Sequence, residues 1–464
     1  MPAINKQKKL YIKTYGCQMN VYDSERMADL LKPLGFIITE TPEAADMVIL
    51  NTCHIREKAS EKVYSELGRI REYKEERKLN NQNMVIAVAG CTAQAEGEEI
   101  LKRANYVDVI VGPQSYHRLP QILAEIERKT SSVKGAGRGI LEIDFPVESK
   151  FDFLPEATDI VGVTSFLSIQ EGCDKFCHFC VVPYTRGAEY SRPVQDIYEE
   201  ACGLVEKGIR EITLLGQNVN AYHGTFSNGQ EEGWSLGKLI KYLSNIPELQ
   251  RIRYVTSHPV DVNQDQINAH RDIEKLMPYL HLPIQSGSDR ILKLMNRKHT
   301  AVYYLEIIEK LRTARPDIAF SSDFIVGYPG ETNTDFEDTL KLIENVNFAS
   351  AYSFKYSPRP GTPASMLDDQ VPEEVKTERL MRLQELLFKQ QLAFNESLVG
   401  KRIPVLFEKT GRHEGQLVGR SPYLQSVYAE ASTRLIGKCV EMVITKASQN
   451  SLTGAVVIQE KIAV

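Results

Sequence analysis

The strongest constraint on the fold is an alternation: ten strand-length apolar runs before residue 370, with helical patterns between them. The first four strand-like runs lie at 9–15, 47–51, 84–89 and 107–111, with helical periodicity at 22–33, 55–78, 94–103 and 115–128. Six more lie at 165–169, 211–215, 252–256, 279–283, 318–326 and 349–356, with helical patterns between them. Such alternation builds parallel sheets, because a parallel neighbour is reached through a crossover, usually a helix. The fold class is therefore α/β: an N-terminal open α/β sheet domain, then a partial (β/α)6 barrel, two units short of the eight of a full barrel. No period of 20–50 residues recurs, so a repeat architecture is excluded.

Two changes of texture mark boundaries. KTSSVKGAGRG at 129–139 has linker composition and 140–160 carries no clear period, so 131–159 reads as a linker between domains at 1–130 and 160–395. Pro372 opens the charged amphipathic segment PEEVKTERLMRLQELLFKQQLAFNESL, with acids in its first turn. After it the pattern turns to short strands separated by Gly, Ser and Asn, the look of a small five-stranded β-barrel at 396–464. Three domains agree with a length of 464 residues.

Apolar residues at 42% and charged residues at 25% are a globular mixture, which excludes a disordered or collagen-like chain. The net charge of −5 argues against a generally basic nucleic-acid coat protein. The charge is unevenly placed, however. From Ser397 onward nine Lys and Arg face five acids, making the terminal barrel +4 and the remainder −9. A compact basic β-barrel suits an RNA backbone, with a solvated mixed-charge surface as the alternative. No run of apolar residues is long enough for a transmembrane helix, and the N-terminus lacks the apolar region of a signal peptide. A cytoplasmic location is expected, so the eight cysteines are expected to be reduced.

Spacing then separates the cysteines. EGCDKFCHFCVVPYTRG places Cys173, Cys177 and Cys180 as C-x3-C-x2-C, after the first strand of the six-unit series, where ligand sites of such folds lie. Three thiolates in one loop can hold three irons of a [4Fe-4S] cluster and leave the fourth open. The alternative is structural zinc with His178 as fourth ligand, although neighbours in one tight loop chelate a single tetrahedral ion poorly. Cys17, Cys53 and Cys91 stand in YGCQMN, NTCHIRE and AGCTAQ, each after a strand and before a helix. Parallel strands would bring all three to one sheet edge, near helix N-termini that favour thiolates. The alternative is three unrelated buried cysteines. Cys202 and Cys439 lack such a setting and read as core packing.

The central motif resembles the radical S-adenosylmethionine superfamily. Two three-cysteine sites followed by a small barrel resemble its methylthiotransferase family over nearly the whole chain. The resemblance implies two [4Fe-4S] clusters and S-adenosyl-L-methionine. The N-terminal cluster would handle sulfur, the central one would chelate the cofactor and make the radical, and the last segment would be an RNA-binding TRAM domain. It also puts Phe179 beside the adenine. Gly216-Gln217-Asn218 departs from the usual Gly-Gly-Glu, with Gln217 as the cofactor-amine candidate. Gln285 and Ser286 are the ribose candidates, and Ile325 and Gly327 those for the adenine pocket; strand-end packing is the alternative at each. Tyr184 and Arg186 can stack on or hold a nucleotide, against loop packing and a local ion pair. Lys401, Arg402, Arg412 and Arg420 are the RNA-facing candidates of the terminal barrel.

CVVPYTRGAEYSRP, LLGQNVNAY, TSHP and LHLPIQSGSDRILKLMNRKHT resemble the branch that methylthiolates C2 of N6-dimethylallyladenosine at position 37 of tRNA, using two S-adenosylmethionine. The alternatives are threonylcarbamoyladenosine in tRNA and a ribosomal-protein aspartate. An unactivated aromatic C–H needs a cofactor to carry the chemistry, and the base must leave its stack. The implied partners are a tRNA anticodon stem-loop and an electron donor such as a flavodoxin or ferredoxin, with no membrane and the chain as a monomer. The competing class is a non-catalytic iron–sulfur RNA-binding protein, which would release no 5′-deoxyadenosine.

Overall fold

A computed structural model describes residues 7–53, 57–131, 139–146, 148–156, 162–226 and 233–457. It divides into two compact units, Met1–Asp159 with Val181–Ala188, and Ile160–Cys180 with Glu189–Val464.

The first unit is built on six parallel strands, β1 (Lys8–Thr14), β2 (Phe36–Ile38), β3 (Met47–Thr52), β4 (Val85–Gly90), β5 (Val109–Val111) and β6 (Ile140–Glu142), in the order β2-β1-β3-β4-β5-β6. Every residue of β3 is buried, as a central strand covered on both faces requires. Pleating sends Met47 and Ile49 into one apolar layer and Val48 and Leu50 into the other. The helices are α1 (Gln18–Leu31), α2 (Glu57–Leu79), α3 (Cys91–Arg103), α4 (Leu119–Ser131) and the short α5 (Val182–Arg186). Both α1 and α3 begin several residues before the apolar periodicity does, because their first turns carry polar residues.

Two short parts of the stretch expected as linker carry regular structure. β6 extends the sheet beside β5, and the turn Lys150–Phe153 buries the Lys150 side chain in this unit. The Gly-rich part at 132–138 lies outside the described residues.

The second unit holds β7 (Thr164–Ser168), β8 (Gln170–Glu171), β9 (Tyr190–Ser191), β10 (Glu211–Leu215), β11 (Arg251–Tyr254), β12 (Tyr279–His281), β13 (Ala319–Val326) and β14 (Ser350–Lys355). Two parallel sheets, β11-β10-β7 and β12-β13-β14, are linked by a parallel bridge between Ile252 and Leu276. The six units thus form a partial barrel. Its helices are α6 (Val194–Glu206), α7 (Leu236–Leu243), α8 (Gln264–Asp272), α9 (Asp289–Leu294), α10 (Ala301–Ala314) and α11 (Asn333–Val346). β8 and β9 pair antiparallel and bracket the central cysteine loop in sequence.

α12 (Glu373–Glu396) leads to β15 (Arg402–Thr410), β16 (Gln416–Arg420), β17 (Ser426–Glu430), β18 (Cys439–Ala447) and β19 (Ser451–Val456), a closed barrel in the order β15-β16-β17-β19-β18. Val405, Phe407, Leu417, Val427, Met442 and Ile444 fill it. Residues 458–464, within the expected barrel at 396–464, lie outside the described residues.

The terminal barrel is fastened to β11. Arg251 donates to the carbonyls of Arg420 and Pro404, and Arg253 to those of Ser421 and Pro422, each at 2.8 Å. Both guanidiniums are buried, with Glu211 as their common counter-ion at 3.7 and 2.9 Å. Carbonyl acceptors and a carboxylate together make such burial tolerable. Arg251 also reaches Cys439 Sγ at 3.3 Å. Cys439 is exposed and Cys202 half-buried, so neither is the core residue its surroundings suggested. Among the described residues no helix is long and apolar enough to cross a membrane.

Candidate metal centres

In the first unit three adjacent parallel strands, β1, β3 and β4, each end just before a cysteine. Cys17 caps α1, Cys53 follows β3, and Cys91 opens α3. Gly16 and Gly90 let the turns close. Both hold left-handed φ, +130° and +88°, and a Cβ on Gly16 would lie 2.3 Å from Cys53 Cβ. On Gly90 it would lie 2.4 Å from the Thr52 carbonyl. A polar net fixes the strand ends. Asn20 Nδ2 donates to Asn51 Oδ1 at 3.1 Å and to the Thr52 carbonyl at 3.2 Å, and Asn51 Nδ2 donates to the Asn20 carbonyl at 2.8 Å.

The cysteines are electrostatically unequal. A hydrogen bond from Cys53 draws the Cys17 thiol down to about 6 against the pull of burial, with help from the Arg186 charge and the amides of Asn20 and Met19. Burial pushes the Cys91 thiol up, and Arg186 opposes it. Arg186, in α5, is buried and donates to Asp23 Oδ2 at 2.7 Å, while Gln114 Nε2 holds its carbonyl at 2.9 Å. Lys150 donates to the other oxygen of Asp23 at 3.2 Å and to the Pro113 carbonyl at 3.1 Å. Burial would raise Asp23, but Arg186 and Lys150 hold it below the usual carboxylate range. Arg186 is thus buried in a local ion pair with Asp23, the alternative its loop setting left open. Tyr184, two residues earlier, is exposed. The Thr92 hydroxyl beside Cys91 is buried without a partner. A lowered thiol, a nearby cation and an orphaned hydroxyl fit an anionic sulfur-rich group.

In the second unit the loop carrying Cys173, Cys177 and Cys180 is pinned by the residues after α9. The His178 amide donates to the Met295 carbonyl at 3.0 Å, and Asn296 Nδ2 to the Phe176 carbonyl at 2.9 Å. His178 Nδ1 lies 2.8 Å from the Leu294 carbonyl. Lys175 pairs with Asp261 at 2.7 Å, and Asn218 Nδ2 donates to the other Asp261 oxygen at 2.8 Å. Burial pushes the Cys173 thiol up to about 11. Arg297 Nη1 reaches Cys177 Sγ at 3.5 Å. Among the described residues no three Cys, His, Asp or Glu groups converge on one point, as a single zinc ion would need. Cluster ligands each bind their own iron and need no such point. Buried polar atoms without partners, Arg297 Nε, His258 Nε2 and Asn218 Oδ1, suit a polar cofactor here.

The cofactor candidates divide. Phe179 and Ile325 pack on the same small apolar cluster of Ile291, Met295, Tyr328 and Tyr356. Gln217 Oε1 accepts from the Gly172 amide at 2.6 Å, beside Cys173. Gln285 holds φ +80°, a strained conformation for a side-chain-bearing residue, and its amide bonds the Asp323 carbonyl at 3.0 Å. Ser286 is fully buried between Thr339 and the Ser288 amide, and the Gly327 amide donates to Glu331. In the terminal barrel Lys401, Arg402 and Arg412 are exposed. Arg420 is engaged with Glu408 at 3.4 Å and Ser426 at 3.1 Å. Arg412, His413, Gln416 and Tyr428 line an open cavity of about 470 Å³.

Asp23, Lys150, Asn51 and Arg297 escaped the sequence reading. Asn51 sits in the same NTC motif as Cys53 and was the most accessible to inference; Lys150 lay in a supposed linker.

Residues 9–112 match the uncharacterized protein family UPF0004, residues 167–343 the radical SAM superfamily, and residues 396–457 the TRAM domain. A tRNA-2-methylthio-N(6)-dimethylallyladenosine synthase of Maricaulis maris (strain MCS10) is 59% identical over 451 residues, 97% of each chain. Among solved structures, the radical S-adenosylmethionine methyltransferase TsrM from Kitasatospora setae aligns with TM-score 0.57 at 10% identity, over 77% of this chain and 75% of that one. The cobalamin-dependent radical enzyme OxsB aligns with TM-score 0.53 at 12% identity, over 83% of this chain and 56% of that one. At such identity these two report the fold alone.

Proposed function

Because the chain belongs to the methylthiotransferase family of radical S-adenosylmethionine enzymes, which use two [4Fe-4S] clusters and that cofactor, we propose that it replaces the C2 hydrogen of N6-dimethylallyladenosine at position 37 of tRNA with a methylthio group. The observation that carries this is the pair of cysteine triads, the N-terminal one at the carboxyl ends of three parallel strands and the central one in the loop that follows β7 and β8. When bound, the clusters and S-adenosylmethionine supply a carbon radical and a methylated sulfur, chemistry that side chains lack.

The chain's own residues bind, orient and exclude water. Cys17, Cys53 and Cys91 hold the sulfur-handling cluster, with Asn20 and Asn51 fixing their strand ends and Arg186 opposing its negative charge. Cys173, Cys177 and Cys180 hold the radical-forming cluster. Phe179 and Ile325 form the apolar wall of the cofactor site, and Gln217 and Gln285 lie at its polar edge. Tyr184 and the exposed Lys401, Arg402 and Arg412 contact RNA, with the cavity beside Arg412 and Tyr428 suited to a nucleotide. The electron donor is a flavodoxin or ferredoxin, and the chain acts as a monomer.

The test is mass analysis of tRNA nucleosides from cells lacking the protein. Disappearance of the 2-methylthio prenyladenosine, with its unmethylthiolated precursor accumulating, is the expected result. Unchanged prenyladenosine with a lost methylthio group on threonylcarbamoyladenosine would move the chain to the other tRNA branch.

A further inference from the structure

Seven arginines are buried among the described residues: Arg26, Arg186, Arg192, Arg251, Arg253, Arg297 and Arg379. Six meet a carboxylate, respectively Asp29, Asp23, Glu200, Glu211 (shared by Arg251 and Arg253) and Glu331. Arg297 alone meets none. Its guanidinium donates to the Pro283 carbonyl and to Cys177 Sγ, and its Nε has no partner. A buried cation without a counter-charge is strongly unfavourable, so its place implies an anion that the protein itself does not provide.

The backbone is arranged to put it there. Asn296 and Lys298, on either side, hold φ of +60° and +61°, and neither is glycine. Such residues persist only where their surroundings enforce them, and they gather at functional sites. The same turn grips the cysteine loop through Asn296 and Met295. Burial and then the Arg297 charge push His299 down to about 4 and His258 lower still, so neither adds a second cation. The nearby Lys175 is already paired with Asp261.

We propose that Arg297 is a positioning residue of the central centre: it is the counter-charge of the cluster held by Cys173, Cys177 and Cys180, and its N–H donation to the Cys177 sulfur raises that cluster's reduction potential. The inference rests on the two-cluster reading above. Adding one electron from the donor breaks no bond and makes the cluster one unit more negative. A fixed cation and a hydrogen bond to a ligand sulfur therefore favour the reduced form.

The experiment uses the intact, two-cluster protein, titrated with dithionite and followed by electron paramagnetic resonance. The central cluster is identified as the signal that S-adenosylmethionine alters. In Arg297→Gln its reduced-to-oxidised ratio at a fixed potential should fall about tenfold, a 59 mV shift to lower potential for one electron. Arg297→Lys, which keeps the charge, should recover more than half of that shift. An unmoved potential in Arg297→Gln, or a Lys variant shifted as far as the Gln variant, overturns the proposal. If Arg297→Gln holds no central iron, thermal unfolding of the iron-free chains decides. Unchanged Tm supports a role toward the cluster, and a lowered Tm makes the arginine a fold residue and overturns it. Absence of any S-adenosylmethionine-sensitive signal in the unaltered protein would instead overturn the reading of function.

Discussion

The two cysteine triads reach similar ends by opposite construction. The central one lies within eight residues of a single loop, whereas the N-terminal one gathers residues 17, 53 and 91 from three strand ends. The first needs only its loop and the turn after α9. The second exists only while β1, β3 and β4 stay in register. Their chemistry differs too: Cys17 is drawn toward the thiolate, and burial holds Cys173 protonated. A local triad is robust to its fold, and a dispersed one reports on it.

The contrast breaks most sharply on the ligands. Cys177→Ala should abolish 5′-deoxyadenosine release. Replacing Cys17, Cys53 and Cys91 together should abolish methylthio product, cut iron per chain by about half and leave 5′-deoxyadenosine largely intact. Full iron retention in the triple variant would end the case for a second cluster.

Next comes Asp23→Asn, which strands Arg186 and Lys150 without a carboxylate and should cost about 3–5 kcal/mol by denaturant unfolding. Because the folded Asp23 is depressed, its stabilisation is complete above the unfolded carboxylate value of about 3.9 and vanishes as pH falls through the lower folded one. The N-terminal unit should therefore be selectively acid-labile, as amide exchange at low pH would report. Gly16→Ala should cost about 2–3 kcal/mol through backbone strain and collision with Cys53, and lower iron at the N-terminal site only. Equal iron loss at both sites would erase the distinction between local and dispersed triads.

A gentler probe is iodoacetamide at pH 7 on the iron-free chain. Cys17, exposed and near its midpoint at about 6, should be alkylated well before Cys173 at about 11, as peptide mass analysis would reveal. The smallest effect is expected at Arg412→Ala, a several-fold loss of RNA affinity with the salt slope reduced by about one.

Much of this was legible from the chain. Both triads could be read because each cysteine follows a strand, and the terminal barrel because its turns are spaced by glycine and asparagine. Burial of charge was not legible. Arg186 stood beside the central motif and suggested RNA, yet α5 belongs to the N-terminal unit and turns it toward Asp23. Lys150 falls in the stretch expected as linker because a single turn such as Lys150–Phe153 has too few positions to show a period. Arg251 and Arg253 lie in a core strand, where charge is expected only with partners, and those partners are main-chain carbonyls 153 to 169 residues away that no pattern announces.

Those two arginines carry a last consequence. Four carbonyls of the terminal barrel accept from two arginines of β11, which ties the terminal barrel to a strand of the central one. On the proposed function, an RNA held by the former would meet the latter at a set stand-off, and a stem-loop would be selected by the length that brings its reactive base there.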